Sequence, residues 1–188
     1  MPKLMGKVLL DMAMSLDGFI AGPNDEDGGL HDYFFSPSDA TARVIEEGFQ
    51  TTGATIMGRR TYDTGAEQDG FVDTPYKVAH FVLTHDAPVR AASGAEGFTF
   101  VTDGIESALK QAQAAAGDKD VVVGGGANVA QQYLKARLVD EIQIHLVHTL
   151  LGAGIPLFKH LGTEQIELET TRVIEAPGVT HLRFRVVK

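Results

Sequence analysis

The chain has 188 residues, 44% of them hydrophobic and 22% charged, which suits one soluble globular domain over 1–188 with a sizeable core. Sixteen Lys and Arg against 25 Asp and Glu give a formal charge of −9, so a broad basic face for duplex nucleic acid is excluded and any phosphate site is local. The absence of cysteine removes a disulfide scaffold, a thiol nucleophile, thiolate zinc and cysteine-ligated iron–sulfur clusters, and it fits a reducing compartment.

Lys7 to Met14 reads as a strand, followed by the turn-like Asp17-Gly18; Asp11 and Asp17 interrupt its apolar run, so it is no signal peptide. Gly22 to Gly29 is a polar, mobile loop. Ser36-Pro37-Ser38-Asp39 supplies cap residues for a helix carrying Thr41, Val44, Ile45 and Phe49. Ala54 to Met57 is a short buried strand between glycines. Lys77 to Thr84 and Phe98 to Val101 are strands. Asp103, with Glu106 at capping-box spacing, opens an Ile105 to Ala116 helix that Gly117 ends. Asp120 to Val123 is a strand running into Gly124-Gly125-Gly126, and Ala127 to Arg137 is a helix. Val139 to Val147, Ile166 to Ile174 and Val179 to Val187 are strands, the last two forming a hairpin around Pro177-Gly178. This alternation predicts a layered α/β fold with a mostly parallel sheet and an antiparallel C-terminal edge. Ile142 to Phe158, the longest stretch without Asp, Glu, Lys or Arg, falls short of the roughly 20 apolar residues of a membrane helix, so a cytoplasmic protein away from membranes is expected.

Three strand ends carry groups suited to phosphate. In VVVGGGANVAQQYL (Val121–Leu134) a buried strand enters three glycines and a helix follows at once, so backbone amides of its first turn could approach an anion. The same residues also suit a plain tight connection. The dinucleotide fingerprint is absent, since Val129 stands where its third glycine would be, and no Gly-Lys-Ser/Thr follows for a P-loop. Thr55 to Tyr62 ends an apolar strand at Gly58, before Arg59, Arg60 and Thr61; the arginines suit either a phosphate clamp or a solvated pair offsetting nearby acids. Val82-Leu83-Thr84-His85 ends another strand with a hydroxyl and an imidazole. Open α/β sheets bind ligands beyond the carboxyl ends of their strands, so the three ends together point to a nucleotide with more than one phosphate.

The segments AMSLDGFIAG (Ala13–Gly22), MGRRTY (Met57–Tyr62), VLTH (Val82–His85) and GGGANV (Gly124–Val129), taken in order, resemble the dihydrofolate reductase fold. Within it they are most similar to the branch of the riboflavin-biosynthesis reductase, the RibD C-terminal domain. The SLDG turn (Ser15–Gly18) and LLGAGIPLF (Leu150–Phe158) are typical of that branch, and the resemblance runs from about Lys7 to Val187. It implies a three-layer fold around a mixed, mostly parallel sheet, an NADPH-dependent reductase, and a homodimer in which strands such as Val139–Val147 and Val179–Val187 pair between protomers. Arg59, Arg60 and Thr61, with Gly58, would hold phosphates at one helix start. Leu83, Thr84 and His85 would lie by the adenosine 2′-phosphate, and Gly124, Gly125, Gly126, Ala127, Asn128 and Val129 would cradle the pyrophosphate. Ala13, Ile20 and Gly22 would border the nicotinamide, with the 22–30 loop closing over it. The arginines favour NADPH over NADH.

On the substrate side the chain departs from its relatives. The first-helix acid of true dihydrofolate reductases falls near Ala42, and the basic residue of riboflavin-pathway reductases is replaced by Asp11. Strand alternation puts Leu9, Asp11 and Ala13 on one face, so Asp11 lies towards substrate if Ala13 meets nicotinamide. Asp11 then either donates a proton after hydride transfer or is paired with a neighbour such as Lys7 or Arg183. Asp17 organises a turn through backbone hydrogen bonds. His145 and His148, three apart in a strand, face opposite sides, and with Asp140 and Glu141 they make no metal-ligand set. The expected activity is hydride transfer to a C=N or C=O bond of a small pyrimidine- or pterin-like substrate, ribosylated or not. A genuine dihydrofolate reductase using Asp11, or a non-catalytic NADPH-binding sensor, are the alternatives.

Overall fold

A computed structural model describes residues 6–68 and 71–188. Its sheet is built from β1 (Val8–Ser15), β2 (Thr52–Gly58), β3 (Ala79–Leu83), β4 (Thr99–Val101), β5 (Asp120–Val123), β6 (Glu141–Val147), β7 (Leu168–Ala176) and β8 (Val179–Val186). The helices are α1 (Asp32–Phe35), α2 (Asp39–Thr51), α3 (Arg59–Glu67), α4 (Ile105–Ala116) and α5 (Ala127–Lys135). The strand order is β4-β3-β2-β5-β1-β6-β8-β7, parallel from β4 to β6, with β8 and β7 antiparallel at one edge.

The expected strands all form, with ends shifted by a few residues. Ser38 caps α2, its hydroxyl accepting from the Thr41 amide at 3.3 Å. At α4 the expected Asp103 cap is not realised: the cap is Gly104, at φ 106°, without a side-chain hydrogen bond. β6 and β8 do not lie at an edge. Each has a neighbour on both sides within the chain, so the expected pairing of these strands between protomers is closed off by their own ladders.

Strand alternation gives the sheet two unlike faces. Val8, Leu10, Met12, Ile56, Val123, Ile142 and Ile144 face α4 and α5 in the main apolar core, with Tyr133 and Leu134 fully packed against them. A smaller cluster around Tyr62, Val82 and Phe71 lies under α3. The other face of β1, β6 and β8 is polar. Gln143, His145 and His181 are buried there beneath α1 and α2, and Thr41 of α2 reaches down to His181. Burying such groups is tolerable only when each finds a hydrogen-bond partner. Among the described residues no buried side-chain polar atom lacks one.

Candidate active site

β2, β3 and β5 end side by side, and their carboxyl ends open into a cleft of about 880 Å³. Two helices begin there. α3 is capped by Gly58 and α5 by Gly126, and neither cap offers a side chain to the first-turn amides. Uncapped N–H groups at the positive end of a helix attract an anion. The turns are tight: Gly58 N donates to Gly125 O at 2.8 Å, and a Cβ on Gly58 would meet Val129 Cγ2 at 2.9 Å. Gly125 has φ 116°, a backbone region that side chains disfavour, and its peptide to Gly126 is cis.

The cleft gathers most of the residues singled out from the sequence. Gly58, Arg59, Arg60 and Thr61 line it, as do Leu83, Thr84 and His85. Gly124, Gly125, Gly126, Ala127, Asn128 and Val129 line it beside Gly58 and Thr61, and Ile20 lines it too. Ala13 and Gly22 are not in the lining. Alternation along β1 turns Ala13, with Asp11, to the other face of the sheet, so Met12 is the strand residue that meets the cleft. Lys159 and His160 also line it. They follow LLGAGIPLF directly, and that adjacency was the available sequence signal.

Both arginines already have acidic partners. Arg59 Nε donates to Asp63 Oδ1 at 2.7 Å and its Nη1 to the Asp86 carbonyl at 2.9 Å. Arg60 Nε donates to Asp25 Oδ2 at 2.7 Å, tying the 22–29 loop to the cleft rim.

On the polar face, Asp11 Oδ1 lies 2.8 Å from His145 Nε2, and Oδ2 accepts from Gln143 Nε2 at 3.2 Å. Lys7 and Arg183, the partners considered for Asp11, bind Glu141 instead. His145 Nδ1 meets His181 Nδ1 at 2.6 Å, and His181 Nε2 meets Thr41 Oγ1 at 3.1 Å. Burial, reinforced by the neighbouring His145, lowers the His181 pKa to about 4. Tyr33 of α1 lies over both imidazoles, with ring centroids 5.1 and 5.7 Å away, and burial, then the Asp11 charge, raises its phenol pKa. The polar alternation of Glu141, Gln143 and His145 in β6, matched by His181 and Arg183 in β8, was the signal that could have located these residues. β5 stops opposite Leu10, so from Asp11 to Ser15 β1 pairs only with β6.

The SLDG and LLGAGIPLF segments form one unit beside this stretch of β1. Ile20 N donates to Ile155 O and Ile155 N to Ala21 O, both at 2.9 Å. Asp17 does organise a turn, but a distant one. Its carboxylate accepts from Ser15 Oγ at 2.6 Å and from the amides of Leu151 and Gly152 at 3.1 and 2.7 Å.

The family model of the RibD C-terminal domain matches residues 6–182. The chain is 28% identical to the uncharacterized protein YwjB of Bacillus subtilis (strain 168) over 169 residues, 88% of this chain and 91% of YwjB. A solved protein of Shewanella sp. PV-4, named for riboflavin biosynthesis, is similar with a TM-score of 0.77 at 24% identity, covering 97% of this chain and 99% of that one. The dihydrofolate reductase of Enterococcus faecalis, solved with NADP(H), gives a TM-score of 0.65 at 15% identity over 98% of this chain and 99% of that one. These likenesses show a dihydrofolate reductase-like fold. Among the described residues no helix is long and apolar enough to cross a membrane.

Proposed function

The chain belongs to the RibD C-terminal domain family, and from that membership we propose that it is an NADPH-dependent reductase acting on a C=N or C=O bond of a small pyrimidine- or pterin-like heterocycle, ribosylated or not. The observation that carries this reading is the pair of glycine-capped helix starts, α3 and α5, opening on one cleft with Arg59 and Arg60 at its rim. A dinucleotide diphosphate suits that wall, where Gly124, Gly125 and Gly126 leave backbone without side chains. Arg59, Arg60 and Lys159 supply, locally, the positive charge an acidic chain must concentrate to hold a further phosphate.

When bound, the reduced nicotinamide supplies the hydride. The chain's own residues bind, orient and seal. The α3 and α5 amides hold phosphate, and the nicotinamide would sit beside the stretch of β1 from Asp11 to Ser15 that β5 leaves unpaired, with substrate on the Asp11 side. Asp11, 2.8 Å from His145, then hands a proton to the substrate nitrogen or oxygen, a role its contacts with His145 support, while Tyr33 covers the imidazoles. Dihydrofolate is the poorer candidate, because the α2 side chain that reaches the Asp11–His145–His181 cluster is Thr41, not an acid, and the acid of α2 that meets the sheet, Glu47, is paired with Arg172 and Arg183.

Thermal-shift titration with NADPH and NADH in parallel tests the cofactor, since the chain has no Trp to report binding. Ligand at 100 times its dissociation constant adds about 2.7 kcal/mol and raises the Tm by several degrees. A larger shift with NADPH than with NADH is expected, and a panel of pyrimidines, pterins and carbonyl compounds then identifies the substrate. No shift with either cofactor would overturn the reading.

A further inference from the structure

We propose that His145 is the proton reservoir of the reduction, loading Asp11 through its Nε2, and that His181 and Thr41 are positioning residues that keep the other side of the His145 ring hydrogen-bonded whether it is charged or neutral. The proposal rests on the reading of Asp11 as the group facing substrate, but the contacts that support it are independent of any cofactor.

Hydrogen-bond roles along the chain are tightly constrained. An ionised carboxylate only accepts, so Asp11 accepts hydrogen bonds from Gln143 Nε2 at 3.2 Å and from His145 Nε2 at 2.8 Å. The Gln143 amide is itself oriented, because Arg172 donates to its oxygen at 3.3 Å. Between the imidazoles, at 2.6 Å, one nitrogen must donate and the other accept. With His145 charged, its Nδ1–H donates to His181 Nδ1, and the neutral His181 donates from Nε2 to Thr41 Oγ1 at 3.1 Å. His181 suits the acceptor role because burial and the adjacent His145 keep it neutral. After His145 gives up its Nε2 proton, every one of these inner bonds keeps its direction, so no ring has to turn between cycles. Thr41 is held in turn by Ser38 Oγ at 3.2 Å.

Other groups around the pair support this division of charge. Asp11 on β1 is the acid against His145. Arg172 on β7 adds positive potential at His181 and disfavours a second charge there. Tyr33 on α1 lies over both rings. His145 is 8% and His181 3% exposed, so bulk water does not compete for these bonds.

The step balances. The substrate carbon takes hydride, with its electron pair, from the reduced nicotinamide, and the π pair of the C=N or C=O bond moves onto nitrogen or oxygen. His145 Nε2 passes its proton to the Asp11 carboxylate, and Asp11 hands it on to that atom. Once product leaves, a solvent proton restores His145, so each turnover consumes one reduced cofactor and one proton.

NMR of protein with ¹⁵N-labelled histidine, recorded without cofactor or substrate, decides it. At pH 7 the expected spectrum has His145 protonated on both nitrogens and His181 neutral with its proton on Nε2. Asp11→Asn removes the counter-charge and is expected to make His145 neutral at the same pH. A neutral His145 in the wild type, or an Asp11→Asn spectrum unchanged at His145, would overturn the proposal; the wild-type result stands alone if that variant does not fold. With a substrate in hand, His145→Gln keeps a donor towards Asp11 but stores no proton, and it should lower kcat by about 100-fold or more with the NADPH thermal shift unchanged. Equal kcat would overturn the proposal. Failure of the wild type to oxidise NADPH with any substrate would instead count against the reductase reading, leaving the histidine spectrum to judge the reservoir.

Discussion

Asp17 Oδ2 accepts the Gly152 amide at 2.7 Å across 135 positions of sequence, pinning the turn after β1 to the segment that follows β6. The bond from Ser15 and those from the Gly152 and Leu151 amides hold the Asp17 carboxyl below its ordinary range. Asp17→Asn should therefore lower the Tm and speed amide exchange at 150–157, measured by hydrogen–deuterium exchange mass spectrometry. Because the folded pKa is depressed, the contribution is present above about pH 3.8 and fades below it, so wild type and variant should converge in stability under strong acid.

Arg60 is shared between Asp25 and the cleft. Arg59→Ala with Arg60→Ala should weaken NADPH binding by about tenfold or more, with a smaller loss for NADH, if the guanidiniums serve the 2′-phosphate. Equal losses by calorimetry would argue against that role. Asp25→Asn frees Arg60 and should tighten NADPH binding by up to about fivefold, the range of an exposed ion pair.

Gly154 lies so close to β1's continuation that a Cβ would sit 2.1 Å from the Ala21 oxygen, at φ 154°. Gly154→Ala should cost about 3 kcal/mol or more in urea unfolding. Gly152→Ala, with φ 74° but open space around it, should cost about 1–2 kcal/mol. A reversed order would mean that the two segments do not seat as tightly as Ile155 and Ala21 indicate.

His181 is held neutral, with its pKa lowered to about 4 from an ordinary 6.5. The unfolded chain binds the proton first, so this contribution to stability is complete above pH 6.5 and is lost as the pH falls towards 4. In His181→Gln, which does not titrate, the urea midpoint should fall less over that interval than in the wild type. His80, whose pKa burial also lowers, titrates in both proteins and leaves part of the slope in place.

How much of this was legible in the chain depends on distance along it. Gly58, Arg59 and Gly124 to Gly126 could be placed at strand ends because the apolar run, the glycines and the helix start are contiguous. The partners of Asp11 could not, because Gln143 and His145 lie about 130 positions away and only the β1–β6 register, Asp11 opposite Gln143 and Ala13 opposite His145, brings them together. Lys7 and Arg183 were plausible partners by charge, yet Glu141 is their neighbour in the folded ladder. Ala13 shows a different limit. The alternation was read correctly, but which side of β1 faced the cleft depends on where α5 and α2 pack, and that is settled by the layers, not the strand. α1, only four residues long, is too short for a periodic signal.

An open sheet has two exposed ladders at which a foreign strand can add, and both are poor templates here. β4 at one end is three residues long. β7 at the other slips register between Thr170 and Arg172 and carries Glu169, Arg172 and Glu175 along its length. Continuation of the sheet from molecule to molecule, the first step towards cross-β aggregation, is therefore blunted at each end, and a dimer of this chain would have to be built from side-chain surfaces instead of a shared ladder.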